Sequence, residues 1–323
     1  STKKYAKLAT CQLNQWAMSF AHNKANIIES IRAAKAMGAT YRLGPELEIT
    51  GYNCQDHFYE MDTVTHAWEV LADILSDSSL TEDILVDVGM PVFFKGNLYN
   101  VRVYCLNQEI LLLRPKLQLA GGGCYREGRW FKPWSYGEGR AVFDFMLPDV
   151  IQKVKGQVKT KIGNAVVQCL DTEIASEICQ EMWVIDNSHI DYFVDGVEIV
   201  TNSSGSYHML RKLARDKIAK IVSPTAKAGG VYVFSNLKGG DGDRVFFDGT
   251  SMICMNGQIY TQGKQFSITN VDVDVAVLDL DQVRAMRLQV MDKHVFSKTT
   301  HQKHFERVTA NIQICRKVTD FGQ

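Results

Sequence analysis

Short apolar runs rich in β-branched and aromatic residues, each closed by a turn, recur along most of the chain. AKLATCQL (6–13), DILVDVGMPVFF (83–94), YNVRVYCL (99–106), EILLLRP (109–115), NAVVQCL (164–170), GVEIVTN (196–202), GVYVFSN (230–236), SMICM (251–255) and DVAVLDLD (274–281) have the length and composition of strands. Helical spacing of apolar residues marks three other stretches: NKANIIESIRAAKAMG (23–38), which closes on a glycine, TVTHAWEVLADILSD (63–77) and YHMLRKLARDKIAKIV (207–222). The hairpin-like segment YNVRVYCLNQEILLLRP alternates with strand–helix units, so the pattern predicts an α/β fold with mixed sheets and helices packed outside them. No repeat, low-complexity segment or Gly/Ser linker interrupts the pattern, which favours one domain over residues 1–285. The tail, 286–323, is more polar and basic and reads as a docking or connecting extension whose spaced apolar residues lie against something.

With 323 residues, 46% of them hydrophobic, the chain is long enough to bury a sizeable core. Lys+Arg and Asp+Glu both number 36, so there is no net charge to draw nucleic acid or an acidic membrane surface, and a small-molecule or protein partner is expected instead. The eight cysteines show no CxxC pair and several sit inside strand-like runs, which points to reduced thiols rather than a disulfide framework or a zinc site. No run approaches the roughly 20 apolar residues of a membrane span, and the start of the chain lacks the apolar core of a signal peptide, so a cytoplasmic protein is expected.

TEIASEICQEMW (172–183) places Cys179 at the end of a strand-like stretch. A strand-to-helix junction there aims backbone N–H groups at the side chain and favours thiolate, whereas burial as a packing thiol is the commoner state of a free cysteine. A thiol that attacks a carbon–nitrogen bond also needs a base and an oxyanion donor. YRLGPELEITGY (41–52) presents Glu46 and Glu48 after a Gly-Pro turn, and LLLRPKLQLAGGGCYREGRW (111–130) carries Lys116 and Glu127. Singly, these are a turn carboxylate, a surface lysine and a partner for Arg126 or Arg129. His189 and His208 offer a rival cysteine–histidine dyad, the first in a turn and the second at a helix start. GGDGDRVFFDG (239–249) lacks the spacing of a calcium loop and reads as a glycine-rich turn, and the cations of 211–220 read as a solvated helix face. Trp130 and Trp134 either line a pocket or pack under a loop, and Cys124 adds a second thiol in a flexible glycine run.

Taken in order, these segments resemble the nitrilase, or carbon–nitrogen hydrolase, superfamily, with its Glu–Lys–Cys triad on separate strand ends. ATCQLNQWA, GATYRLGPELEITGYNCQDHFYE, DVGMPV, LLLRPKLQLA, YREGRWFKPW, ASEICQEMW, DGVEIVTNSSGS and KGGDGDRVFFDG are most similar to the glutaminase domain of eukaryotic-type glutamine-dependent NAD synthetases. The resemblance implies an α-β-β-α sandwich, with Glu46 as general base, Lys116 as oxyanion stabiliser and Cys179 as nucleophile. It implies supporting roles for Glu127 and the Gln180 backbone N–H, and substrate contacts from Tyr125, Ser206 and Arg211 or Lys212. The implied reaction releases ammonia and glutamate from glutamine through a thioester, with no cofactor and no metal, as the ammonia supply of NAD synthesis. No SGG-x-DS pyrophosphate loop of a synthetase domain occurs in these residues, so the expectation is either an excised glutaminase domain or a free-standing relative whose ammonia goes to a separate ammonia-accepting synthetase or to solvent. A homo-oligomer is expected by the same resemblance. A free-standing amidase or nitrilase acting on another small amide or nitrile, and a non-catalytic scaffold that has kept the fold, are the alternatives.

Overall fold

The computed structural model describes residues 4–290 and 304–321. The first apolar run forms β1 (Tyr5–Leu13), followed by α1 (Phe20–Ala36), and the helix is closed by Gly38 in the left-handed region, φ 77°. Next come β2 (Tyr41–Leu43), α2 (Met61–Ser76), the single turn α3 (Ser78–Thr81) and three antiparallel strands, β3 (Leu85–Phe94), β4 (Asn97–Leu106) and β5 (Glu109–Pro115). The middle of the chain adds β6 (Val142–Met146), α4 (Asp149–Lys155), β7 (Lys159–Gly163), β8 (Val166–Gln168) and β9 (Glu173–Ile178). It continues through α5 (Ser188–Val194), β10 (Ile199–Ser204), α6 (Ile218–Ala228), β11 (Val231–Gly239), β12 (Phe247–Asp248), β13 (Met252–Met255) and β14 (Gln258–Gln262). The last elements are β15 (Val271–Asp279), α7 (Leu280–Gln289), β16 (Arg307–Thr309) and β17 (Cys315–Arg316).

One half of the mixed sheet runs β6-β7-β5-β4-β3-β2-β1-β15. The other runs β14-β13-β11-β10-β9-β8-β16. The sheet curls between them, and the halves meet where Gln12 and Leu13 pair in parallel with Asn236 and Leu237. Side-chain alternation assigns the layers. Leu8, Tyr41, Leu43 and Leu112 of the first half pack face to face with Val167, Ile174, Val231 and Val233 of the second. The opposite face of the first half, with Cys11, Val86 and Val88, is covered by Ile27, Ile31, Val64 and Leu71 of α1 and α2. Tyr232 and Phe234 are covered in the same way by Tyr192, Phe193 and Ile221 of α5 and α6. The layers are therefore α-β-β-α, and each such side chain that is fully buried contributes about 1.5–3 kcal/mol.

The helix expected over 207–222 begins later. Tyr207 is bridged to Phe247, Arg211 sits at φ 66°, and Leu213–Lys217 form a π-helical turn before α6 starts. The domain boundary expected at residue 285 falls inside α7. Beyond it, β16 lies beside β8 and β17 beside β1, with Phe305, Ala310, Ile312 and Ile314 buried; residues 291–303 and 322–323 of the expected extension lie outside the described residues. Among the described residues, no helix is long and apolar enough to cross a membrane.

Candidate active site

β9 ends at Ile178, and Cys179 turns the chain with φ 43° into a four-residue 3₁₀ turn, Cys179–Met182. A non-glycine residue held in this region costs about 1–3 kcal/mol and persists only where its surroundings enforce it. The side chain is 2% exposed. Burial, and then the charge of Glu46, push the thiol up to about 12, while Lys116 pulls it down. Of the two states left open, thiolate or buried thiol, this favours the thiol: one 3₁₀ turn supplies too little helix dipole to offset the lost hydration. Near neutral pH the group is a thiol and needs a base.

Glu46 lies in the turn that follows β2 and is completely buried. Its Oε1 accepts hydrogen bonds from Lys116 Nζ at 2.5 Å and Asn100 Nδ2 at 2.7 Å, and its Oε2 accepts one from the Gly205 N–H at 2.9 Å. Lys116, the first residue after β5, also donates to Glu127 Oε1 at 2.7 Å. Glu127 takes further bonds from the Tyr52 hydroxyl and, at 3.0 Å on Oε2, from the Ala120 N–H. Against the cost of burial, Glu127 and Glu46 hold Lys116 firmly protonated. Burial and the neighbouring Glu46 raise Glu127 above the usual carboxylate range despite Lys116. With two carboxylates to one ammonium, the cluster takes up one further proton readily.

The other expected residues fall in two groups. Tyr125 donates from its hydroxyl to the Gly205 carbonyl at 2.9 Å, and the Ser206 N–H donates to Asn236 Oδ1 at 2.8 Å. The Ser206 hydroxyl is buried and has no hydrogen-bond partner among the described residues. Lys212 donates to the Tyr207 carbonyl at 2.9 Å and lies over the Tyr207 and Trp183 rings, 4.7 and 5.4 Å from their centroids. Burial and then Lys217 lower its pKa, and a charge on Cys179 would pull it the other way, so Lys212 lies within reach of a thiolate at Cys179. Arg211, by contrast, is exposed. Gln180 follows Cys179 inside the 3₁₀ turn, which its carbonyl closes by accepting from the Trp183 N–H at 2.9 Å.

The histidines of the rival dyad are engaged elsewhere. His189 is buried in the first turn of α5 with Nδ1 3.0 Å from Glu177, and His208 lies 3.4 Å from Asp248. The expected solvated helix face fails at Lys217, which is fully buried and donates to Asp248 Oδ1 at 3.0 Å. The wider π-helical turn rotates that residue inward, away from where a 3.6-residue period places it. Trp134 packs under its loop, buried against Phe94, Tyr99 and Tyr136, while Trp130 donates to Asp56 at 2.9 Å. Asp241 and Asp243 bind Asn53 and Gln55 side chains, and among the described residues no cluster of three or more His, Cys, Asp or Glu side chains is arranged to hold a metal ion. Cys124 is half-buried, and its carbonyl accepts from Arg244 at 3.1 Å. Sequence reasoning missed Asn100 and Tyr52; the available signal was a polar side chain on the inner register of a buried strand and a tyrosine in the loop that carries Glu46.

The carbon-nitrogen hydrolase family model matches residues 7–288. The glutamine-dependent NAD(+) synthetase of Dictyostelium discoideum is 50% identical over 311 residues, 96% of this chain and 43% of that protein. The human protein of the same name is 49% identical over 288 residues, 89% of this chain and 40% of its own length. The chain thus spans less than half the length of these relatives. Among solved structures, the glutamine-dependent NAD(+) synthetase of Cytophaga hutchinsonii superposes with a TM-score of 0.74 at 26% identity, over 85% of this chain and 43% of that one. An amidase from Nesterenkonia sp. shares the fold with a TM-score of 0.64 at 16% identity, over 91% and 97%. The family match covers most of the chain, including all the segments that meet around Cys179: the chain belongs to the carbon–nitrogen hydrolase family.

Proposed function

We propose that the chain is a glutamine amidohydrolase module that works through a Glu46–Lys116–Cys179 triad. The observation that carries this reading is the buried cluster of Glu46, Lys116 and Glu127 acting on a thiol that burial keeps protonated. Glu46 takes the thiol proton as Sγ attacks the side-chain carboxamide carbon of glutamine. Lys116 and the Gln180 N–H hold the tetrahedral oxyanion, an arrangement in which each donor is worth about 3–4 kcal/mol of barrier. The proton passes from Glu46 to the departing nitrogen, ammonia leaves, and a γ-glutamyl thioester remains on Cys179. Water then gives up a proton to Glu46 as its oxygen attacks the thioester carbon, the C–S bond breaks to release glutamate, and the proton returns from Glu46 to the Cys179 sulfur. Glu127 keeps Lys116 charged and aimed.

The unpartnered Ser206 hydroxyl and the Lys212 ammonium suit the polar end of an amino-acid substrate, and Tyr125 packs on the Tyr207 ring that Lys212 also faces. Arg211 is left out of this reading because it is exposed. The names of the relatives, glutamine-dependent NAD(+) synthetases, support a module that supplies ammonia to a synthetase, fused or separate. Incubation of the purified chain with glutamine and a panel of small amides, following ammonia and the mass of Cys179, tests it. Glutamine should give ammonia and a thioester adduct; turnover of another amide with glutamine left untouched would refute the substrate assignment.

A further inference from the structure

Cys179 is carried by the half of the sheet that contains β9, whereas Glu46 and Lys116 are carried by the half that contains β2 and β5. Apolar packing between the halves is strong but non-directional, so it does not by itself hold a sulfur and an ammonium in register to a fraction of an ångström. Directional bonds that cross between the halves do. On the side of the base, Gly205 N–H donates to Glu46, and the Ser203 hydroxyl donates to the Gly44 carbonyl at 2.7 Å. On the side of the lysine, Glu181 crosses, beside the bonds of Tyr104 to Ser176 and of Tyr125 to Gly205.

Glu181 stands two residues after Cys179 in the same 3₁₀ turn. Its Oε1 accepts from Arg114 Nη1 at 2.6 Å and from the Leu117 N–H at 2.8 Å, and its Oε2 accepts from Arg114 Nη2 at 2.6 Å. Residues 114 and 117 bracket Lys116, so one carboxylate grips the lysine-bearing segment on both sides. Both charged side chains are completely buried, and Arg114 Nη2 is braced further by the Tyr192 hydroxyl at 3.0 Å. A buried ion pair is a poor stabiliser compared with apolar residues of the same volume. Its use here is geometric.

We infer that Glu181 and Arg114 are a positioning pair, which sets the separation between the Cys179 sulfur and the Lys116 ammonium for the reaction proposed above. Glu181→Asp keeps the charge that neutralises Arg114 but withdraws the carboxylate by one methylene. The double variant Arg114→Met/Glu181→Met fills the space without the pair. Both should retain the fold by circular dichroism and thermal melting, while kcat/KM for glutamine falls about 100-fold, mostly in kcat, as for a misplacement of about 1 Å. A second readout needs no glutamine: the pH midpoint for alkylation of Cys179 by iodoacetamide, located by peptide mass, should rise, because Lys116 moves away from the thiol it acidifies. A raised midpoint in a protein that leaves glutamine intact would keep the positioning role and discard the substrate. Wild-type turnover with an unchanged midpoint in either folded variant would overturn the inference. So would an unfolded Glu181→Asp beside a folded, fully active double variant, which would make the pair structural only.

Discussion

Replacing Glu46 with glutamine separates the two effects that one carboxylate exerts on Cys179. With the thiol pushed up to about 12, only a small fraction of molecules carries a thiolate near neutral pH, so attack depends on the base. Removing a positioned general base costs about 10²–10⁴ in rate, and a loss of that size is expected in kcat/KM and in the rate of acyl-enzyme formation. Stability should fall as well. Glu46 accepts three hydrogen bonds spread over both oxygens, but glutamine accepts on one oxygen only and sets an NH₂ against a donor, a mismatch of about 1.5–3 kcal/mol. Intrinsic thiol acidity moves the other way, because the negative charge of Glu46 is the second largest influence raising Cys179. The variant should therefore turn over slowly yet alkylate with a pH midpoint below that of the wild type. Rapid-quench mass spectrometry of the thioester and iodoacetamide titration read the two quantities on one sample. Near-wild-type acylation would refute Glu46 as the base, and an unchanged midpoint would refute the electrostatic argument.

Three further substitutions test the surroundings. Tyr52→Phe removes a donor that holds Glu127 down against burial, so Glu127 should protonate at higher pH and the acid limb of kcat/KM should move upward; a pH–rate profile of ammonia release with an unmoved limb would count against this. Gly205→Ala places a Cβ 2.9 Å from Tyr52 Cδ2, which should cost about 1–3 kcal/mol and, by shifting the N–H bound to Glu46, lower kcat together with Tm. Asp272 is held at about 2, from an ordinary 3.8, by Lys238, Thr269, Ser267 and Gln12 against the upward push of burial. Its folded pKa is depressed, so its contribution is complete above about pH 4 and is lost as pH falls towards 2. Asp272→Asn should flatten the decline in urea midpoint across that window, and a parallel decline would place the acid sensitivity elsewhere.

The layers were legible wherever a strand is long and buried, because an apolar run such as residues 85–94 admits few other readings. β14 was not, since Gln258–Gln262 pairs along an edge with its side chains largely in solvent and carries no apolar signature. The amphipathic period of 207–222 was real but misleading at its start, where the bridge from Tyr207 and the π-helical turn displace the helix and turn Lys217 inwards. Around Cys179, Glu46 and Lys116 were visible as charged residues following strands. Asn100 and Tyr52 were hidden, since a polar side chain facing inwards is informative only once its partner is known. The state of Cys179 stayed open between packing thiol and thiolate for a related reason: a strand-to-turn junction suggests a helix dipole, while the 2% exposure of Cys179 is set by the fold around it.

Burial that keeps the thiol neutral also explains the charge arrangement around it. A resting thiolate beside Lys116 would form an ion pair and would not need Glu46; a resting thiol leaves Lys116 bound to Glu46 and Glu127. In the proposed reaction, when Glu46 takes the proton and negative charge develops on the bound carboxamide oxygen, Lys116 loses one ionic partner just as a new one appears beside it. Glu127 keeps the ammonium charged and in place throughout, and Tyr52 and the Ala120 N–H hold Glu127. The stabilisation of Lys116 is thus transferred from base to oxyanion during attack, which is what selective binding of the transition state requires. It also sets the geometric demand on the fold: the transfer works only if the sheet that carries Cys179 keeps its register with the sheet that carries Lys116.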